Sequence, residues 1–262
     1  MTAPAAISPA AAPTADPGDA PPALTFAGVR LTFPDGTEAV EALDLTIRRG
    51  EFVSIVGPSG CGKSTLLRLA AGLLEPTAGS VGREEGELGF VFQDPTLLPW
   101  RTVTDNVALL AELGGRPRRE RQRLAARAIS LVGLDAFAGH HPHALSGGMK
   151  MRVSLARAMA LQPDLFLFDE PFGALDELTR EQLNDELLRL YCSQRFTGVF
   201  VTHSIHEAVF LSTRVIVMSS RPGRVIADIP VDFECPRNPD LRFDADFVAI
   251  CGAASAALRH AR

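Results

Sequence analysis

Gly57-Pro58-Ser59-Gly60-Cys61-Gly62-Lys63-Ser64 decides how the chain is read. It fits the Walker A pattern G-x-x-x-x-G-K-[ST] and follows directly on the apolar run Phe52-Val53-Ser54-Ile55-Val56. In such a loop the backbone N–H groups wrap a chain of phosphates, the lysine reaches the β- and γ-phosphates, and the hydroxyl of Ser64 would sit on Mg²⁺. A helix is expected from Lys63, stopping at Gly72, a residue suited to a helix end. Downstream, Leu145-Ser146-Gly147-Gly148-Met149 precedes a helical run from Lys150 to Leu161. This turn offers a second set of free N–H groups at a second positive helix end. One nucleotide needs one cradle, so a second cradle on the same chain points to two copies sharing each nucleotide.

Outward from the loop, short apolar runs at Leu165–Phe168, Val199–Thr202 and Val215–Met218 read as central parallel strands buried on both faces. Helical patterns separate them. Leu183, Leu187 and Leu190 fall on one face, and Ser204-x-x-Glu207 reads as a capping box just after His203. Toward the N-terminus, Val29–Phe33 and Val40–Leu45 flank Asp35-Gly36, a hairpin turn pair. Residues 95–160 interrupt the alternation and read as an inserted helical arm, with Leu124, Ala128, Leu131 and Val132 marking the apolar face of one helix. The core is therefore expected to be α/β.

Taken together, these motifs resemble the ATP-binding-cassette ATPases, over about residues 24–230. Leu165–Phe168 ending in Asp169-Glu170 looks like Walker B with its adjoining glutamate. Gln93 in Phe90-Val91-Phe92-Gln93-Asp94 looks like the Q-loop glutamine, Gly173-Ala174-Leu175-Asp176 like the D-loop, and His203 like the switch histidine. Phe33 stands where the family often has an aromatic that stacks on adenine, here without tyrosine's hydroxyl. Met149 stands where the signature most often has glutamine. The resemblance implies a P-loop NTPase core with an antiparallel β subdomain and an inserted helical subdomain. It also implies ATP and Mg²⁺ as ligands, and ATP hydrolysis as the activity.

The resemblance likewise implies the roles. ATP would be held by Phe33, by Gly57, Pro58, Ser59, Gly60, Cys61, Gly62, Lys63, Ser64 and Thr65, and across a dimer by Ser146, Gly147, Gly148 and Asp176. Ser64, Gln93 and Asp169 would attend Mg²⁺. Glu170 would polarise the attacking water, His203 would hold the γ-phosphate and the glutamate in line, and Gln93 would report occupancy to the helical arm. Read without the family, Asp169-Glu170 is a pair of helix-capping acids. That leaves unexplained why both follow four apolar residues and precede Pro171.

A finer resemblance, to bacterial importer subunits for nitrate, sulfonate, taurine and pyrimidine precursors, is carried by Leu97-Leu98-Pro99-Trp100-Arg101-Thr102-Val103, Leu145–Arg152 and Ser219-Ser220-Arg221-Pro222-Gly223-Arg224. It implies a homodimer sharing two ATP and bound to transmembrane permease subunits. A solute-binding protein would act through the permease, and the chain would lie on the cytoplasmic face of the inner membrane. Leu97, Leu98 and Trp100, the only tryptophan, either plug the helical arm or line a groove for a permease helix. The alternatives are a soluble ATPase of the same superfamily without a permease, or a P-loop kinase. A kinase would have no use for the turn at Ser146.

The 262 residues, 46% hydrophobic, suffice for a large core. A net charge of −5 argues against nucleic acid as a partner, and the arginine-crowded stretch 116–127 reads as a solvated helix face. Cys61, Cys192, Cys235 and Cys251 are widely scattered and read as reduced thiols. His140, His141 and His143 have no acidic or cysteine neighbours in sequence and read as loop residues rather than metal ligands. Met1–Ala23, mostly alanine and proline without lysine or arginine, reads as a disordered tail and not a targeting signal. Residues 231–262 read as a short C-terminal extension.

Overall fold

The computed structural model describes residues 20–259; the tail expectation for residues 1–19 lies outside the described residues. Residues 22 and 23 of the expected tail are folded: strand β1 spans Pro22–Thr32, with Ala23 buried. β1 pairs antiparallel with β2 (Glu38–Arg48) across the Asp35-Gly36 turn and, on its other side, with β4 (Ala78–Arg83). In that turn Phe33 N–H donates to the Thr37 carbonyl at 2.9 Å.

The second sheet has six strands, in the order β5-β6-β7-β3-β8-β9. These are β3 (Phe52–Val56), β5 (Leu88–Val91), β6 (Leu165–Asp169), β7 (Thr197–Thr202), β8 (Arg214–Met218) and β9 (Val225–Pro230). All neighbours are parallel except β9, which returns antiparallel along β8. Both faces are covered, which is why the strands read as unbroken apolar runs. Alternate residues face opposite cores. Phe52 and Val56 of β3 join Phe166, Phe168 and Phe200 on one side, while Val53 and Ile55 join Leu167, Val199 and Val201 on the other.

On the first face Phe52 meets Tyr191 edge-on at 5.2 Å and stacks on Phe168 at 5.9 Å; the Tyr191 hydroxyl donates to the Gly50 carbonyl at 2.7 Å. Each such buried ring contributes roughly 1.5–3 kcal/mol. On the second face the sheet is covered by helix α1 (Lys63–Ala70) and by the antiparallel strands.

The helical arm falls between β5 and β6. It comprises α2 (Val103–Val107), α3 (Leu109–Leu113), α4 (Arg118–Leu131) and α5 (Gly147–Met159). The buried face of α4 is Ala125, Ala128 and Ile129, followed by Val132. Leu131 is 40% exposed: at about 100° per residue it lies at the edge of this stripe and not within it, and Gly133, with φ 66°, follows the helix end.

Helix α6 (Glu177–Gln194) buries Leu183, Leu187 and Leu190 as its spacing requires. Helix α7 (Ile205–Leu211) is capped by Ser204, whose hydroxyl accepts the Glu207 N–H at 3.3 Å. The other half of the expected capping box is not formed. The Ser204 N–H donates instead to Thr202 Oγ1 at 3.0 Å, and the Glu207 carboxylate turns inward to the Thr202 hydroxyl.

The chain after Pro230 is packed onto the core. Helix α8 (Ala245–Arg259) buries Phe247, Cys251 and Ala254 against α7 and the β8–β9 edge. Arg237 donates to the carbonyls of Val209, Phe210 and Ser212, satisfying the C-terminal end of α7. This packing corrects the cysteine expectation. Cys192, at the end of α6, and Cys235 lie 43 residues apart in sequence, yet the extension brings their Cα atoms to 5.7 Å and they form a disulfide. Cys61 and Cys251 are free and buried. Among the described residues no helix is long and apolar enough to cross a membrane.

Candidate functional site: a phosphate loop and the ends of three strands

In an open parallel sheet, ligands bind beyond the carboxyl ends of the strands. Adjacent strands β6, β7 and β3 end here in Asp169-Glu170, in Thr202-His203 and in the phosphate loop respectively.

The loop is tightly built. Gly62, at φ 104°, caps α1, and a Cβ there would lie 2.8 Å from the Ala39 carbonyl oxygen, so only glycine fits. Lys63 is 5% exposed; its ammonium donates to the carbonyls of Gly57 at 2.9 Å and Pro58 at 3.0 Å, and lies 4.0 Å from Glu170 Oε1. Cys61 is buried beneath the loop, and burial raises its thiol pKa, an effect partly countered by the Lys63 charge. Arg221 clasps the loop from outside, donating through Nε and Nη2 to the Gly60 carbonyl at 3.0 and 2.9 Å.

Ser64 Oγ donates to Asp169 Oδ1 at 2.7 Å, so two hard oxygen donors adjoin each other at the start of α1. Burial pushes the Asp169 carboxyl up from its ordinary value; the Ser64 hydrogen bond opposes this and the Glu170 charge adds to it. Glu170 has φ 45°, the left-handed region that a non-glycine residue avoids, and its N–H is held by the Val201 carbonyl at 3.0 Å. Such strain costs on the order of 1–3 kcal/mol and concentrates where function demands it. Glu170 Oε2 lies 3.4 Å from His203 Nδ1. A Cβ placed on Gly173 would be 3.5 Å from Gln93 Nε2 and 3.6 Å from His203 Cε1, so both side chains close on that glycine. Lys63, Ser64, Asp169, Glu170, His203 and Gln93 thus form one group.

A second group is built on the starts of α5 and α6. Ser146 caps α5, its hydroxyl accepting the Met149 N–H at 3.3 Å. Asp176 caps α6, accepting the Thr179 N–H at 3.0 Å, a bond that holds its carboxyl below the ordinary value. Gly148 lets the two helix starts meet, since a Cβ there would stand 2.6 Å from Thr179 Cγ2. Ser146, Gly147 and Asp176 are exposed, as are Ser59, Gly60 and Phe33, while Thr65 sits half-buried in the first turn of α1. Trp100 is 72% exposed, which removes the expectation that it plugs the arm; Leu97 alone of that trio packs against the core.

Arg180 is a contributor that the motif reading passed over, and Arg221 and Glu207, quoted there only within a family motif and a capping box, contribute in other ways. Arg180 donates to the carbonyls of Phe172 at 3.3 Å and Leu175 at 2.7 Å, gripping the segment between Glu170 and Asp176. A lone arginine on a helix carries no spacing signal for that.

A buried lysine in a glycine-rich loop, a hydroxyl beside a strand-end aspartate, and a strained glutamate one residue on together define a P-loop nucleoside-triphosphatase. The chain belongs to the ABC transporter family, whose domain model matches residues 40–173, and it is an ATP-binding, ATP-hydrolysing cassette. It is 49% identical over 202 residues to the taurine import ATP-binding protein of Rhizobium johnstonii, covering 74% of this chain and 77% of that one. Against the nitrate import ATP-binding protein of Synechococcus elongatus it is 48% identical over 209 residues, 76% of this chain and 32% of that longer one. An aliphatic sulfonates import ATP-binding protein of Pseudomonas syringae is 46% identical over 203 residues, covering 78% and 84%. Among solved structures, a dimeric ATP-binding cassette in a post-hydrolysis state with ADP and phosphate superposes with a TM-score of 0.71 at 34% identity, covering 80% of this chain and all of that one.

Proposed function

We propose that this chain is the motor subunit of a bacterial importer for a small oxyanion, a sulfonate such as taurine or nitrate, and that it works as a homodimer beneath a membrane permease. The observation that carries the chemistry is the convergence of Lys63, Ser64, Asp169, Glu170, His203 and Gln93 at the ends of four adjacent strands, β5, β6, β7 and β3. The import assignment rests on the relatives' names, and the dimer on the dimeric solved cassette.

Phe33 stacks on the base. The N–H groups of the loop from Gly57 to Thr65 enclose the phosphates, and Lys63 exchanges its carbonyl partners for β- and γ-oxygens. Ser64 and Asp169, with Gln93 nearby, are the hard oxygen donors that suit Mg²⁺, which would neutralise charge on the phosphates. Glu170 takes a proton from water as its oxygen attacks the γ-phosphorus; the bond to the β-phosphate oxygen breaks, and ADP and phosphate leave. His203 holds glutamate and phosphate in line. Ser146, Gly147, Gly148 and Asp176, at the starts of α5 and α6, close over the ATP of the partner copy. Exposed Trp100, next to the arm and downstream of Gln93, is the contact for a permease helix.

Co-expression with candidate permease subunits of a taurine, nitrate or sulfonate importer tests the proposal. A stable complex, and ATP-dependent uptake of a sulfonate or nitrate into vesicles carrying it, are expected. A cassette that hydrolyses ATP yet never co-purifies with a membrane subunit would refute the transport role.

A further inference from the structure

We propose that Glu207 is a positioning residue for hydrolysis, tying the strand end that presents His203 to the segment that leads into Asp176, through Thr202 on one side and Arg180 on the other. The inference deepens the reading of the site just given and rests on it.

Glu207 lies in the first turn of α7, and its side chain is 8% exposed. One carboxylate oxygen, Oε2, accepts from the hydroxyl of Thr202, the residue before His203. That same hydroxyl oxygen accepts the N–H of Ser204, the residue after His203, so Thr202 brackets the histidine in the chain. The other oxygen, Oε1, faces Arg180 Nε at 3.7 Å. Arg180 holds the Phe172 and Leu175 carbonyls and pairs with Glu177 at 2.8 Å, so it fixes both ends of the segment between Glu170 and Asp176. The path from His203 to Asp176 is therefore a short chain of side chains behind the site.

The arrangement is costly for folding alone. The Glu207 carboxyl is enclosed by the Thr202 hydroxyl, Arg180 and the Asn184 side chain of α6. Burying a carboxylate costs stability even when it is paired. Burial pushes this carboxyl up from its ordinary value, with Thr202, then Arg180, then a hydrogen bond from the Asn184 side chain pulling it back. The helix start does not require the acid, because Ser204 caps α7 through the Glu207 backbone and the side chain makes no return bond. A buried acid beside a reaction centre that the helix cap leaves unused is a functional signature.

The test uses the full chain and measures kcat, KM for ATP and thermal melting for Glu207→Ala, Glu207→Gln, Arg180→Met, the double variant Glu207→Ala/Arg180→Met, and His203→Ala. Misplacing a reacting group by a fraction of an ångström costs about tenfold or more. Glu207→Ala is expected to lose about tenfold in kcat with KM within about twofold. Glu207→Gln keeps an acceptor for Thr202 and should recover to within about threefold. The double variant should be no slower than the slower single variant, because both cut one path. Wild-type kcat in folded Glu207→Ala, a loss carried by KM, or multiplicative effects in the double variant would overturn the inference. If Glu207→Ala shows no cooperative melt, Arg180→Met decides alone: a kcat loss at unchanged KM supports the inference, and wild-type kcat overturns it. His203→Ala separates the two levels. If it turns over normally, the reading of the site has failed; if it is impaired while the Glu207 series is not, only the present inference has failed.

Discussion

Replacing Lys63 by alanine perturbs the loop at its most constrained side chain. The ammonium is 5% exposed and donates to two loop carbonyls at 2.9 and 3.0 Å, so it stands ready to trade those acceptors for phosphate oxygens at little further ordering cost. A hydrogen bond involving a charged group contributes about 1.5–3 kcal/mol. Two of them, less what the carbonyls recover from water, amount to about 3–4 kcal/mol. At about 1.4 kcal/mol per decade, ATP affinity should fall by about 10²–10³-fold. With the lysine on the β- and γ-phosphates, as the proposed mechanism has it, the loss should be smaller for ADP and absent for AMP. Without nucleotide, the two stranded carbonyls should cost only about 1–2 kcal/mol of folding stability. Titration with a fluorescent ATP analogue, competed by ATP, ADP and AMP, alongside a melting curve, measures all of this. ATP affinity within threefold of wild type in a folded variant would refute the reasoning, and so would an equal loss for AMP.

Three further outcomes are expected. Trp100→Ala should leave the melting midpoint unchanged, because the ring is 72% exposed, while weakening capture by the permease; a drop of several degrees with normal capture would contradict this. Thiol titration of the denatured, unreduced chain should find the two free cysteines Cys61 and Cys251, and reduction should lower the melting midpoint by about 5–15 °C, as closing a 43-residue loop is worth about 2–4 kcal/mol in the chain-entropy account; four thiols before reduction would contradict the pairing. Asp169→Asn should melt higher than wild type in chelator at neutral pH, because burial raises the Asp169 carboxyl above its ordinary 3.8 and its ionised form therefore opposes folding. That advantage should shrink as pH falls through the raised carboxyl range toward 3.8, where wild type takes up its proton; an advantage independent of pH would contradict the sign.

The parallel strands and the phosphate loop were legible because each is a local pattern. Phe52–Val56 is apolar at every position but one, since both its faces are buried, and the glycines of the loop sit where backbone geometry leaves no alternative. Asp169 and Glu170 were legible from their place at the end of such a run. What escaped the sequence is what the fold assembles from distant parts. Cys192 and Cys235 meet only because the C-terminal segment folds back across the end of α6. Glu207 looked like a capping residue because a capping box is a four-residue pattern, whereas its actual partners, Thr202 and Arg180, are chosen by how α7 packs on α6. Arg221 clasps Gly60 from 161 residues away, through a turn whose Pro-Gly pair signalled only that a turn exists. The face of α4 was misjudged at Leu131 because a residue at the edge of an apolar stripe has the same spacing from Ala128 as one within it.

The central claim is that Glu170 does the chemistry on an ATP shared by two copies of the chain. Sedimentation of Glu170→Gln with and without saturating ATP, together with its turnover rate, tests both halves at once. Removal of a general base costs about 10²–10⁴-fold, so hydrolysis should fall by that factor while ATP is retained and the chain sediments as a dimer only in its presence. Turnover near that of wild type, or a monomer under saturating ATP even with the permease bound, would contradict the account.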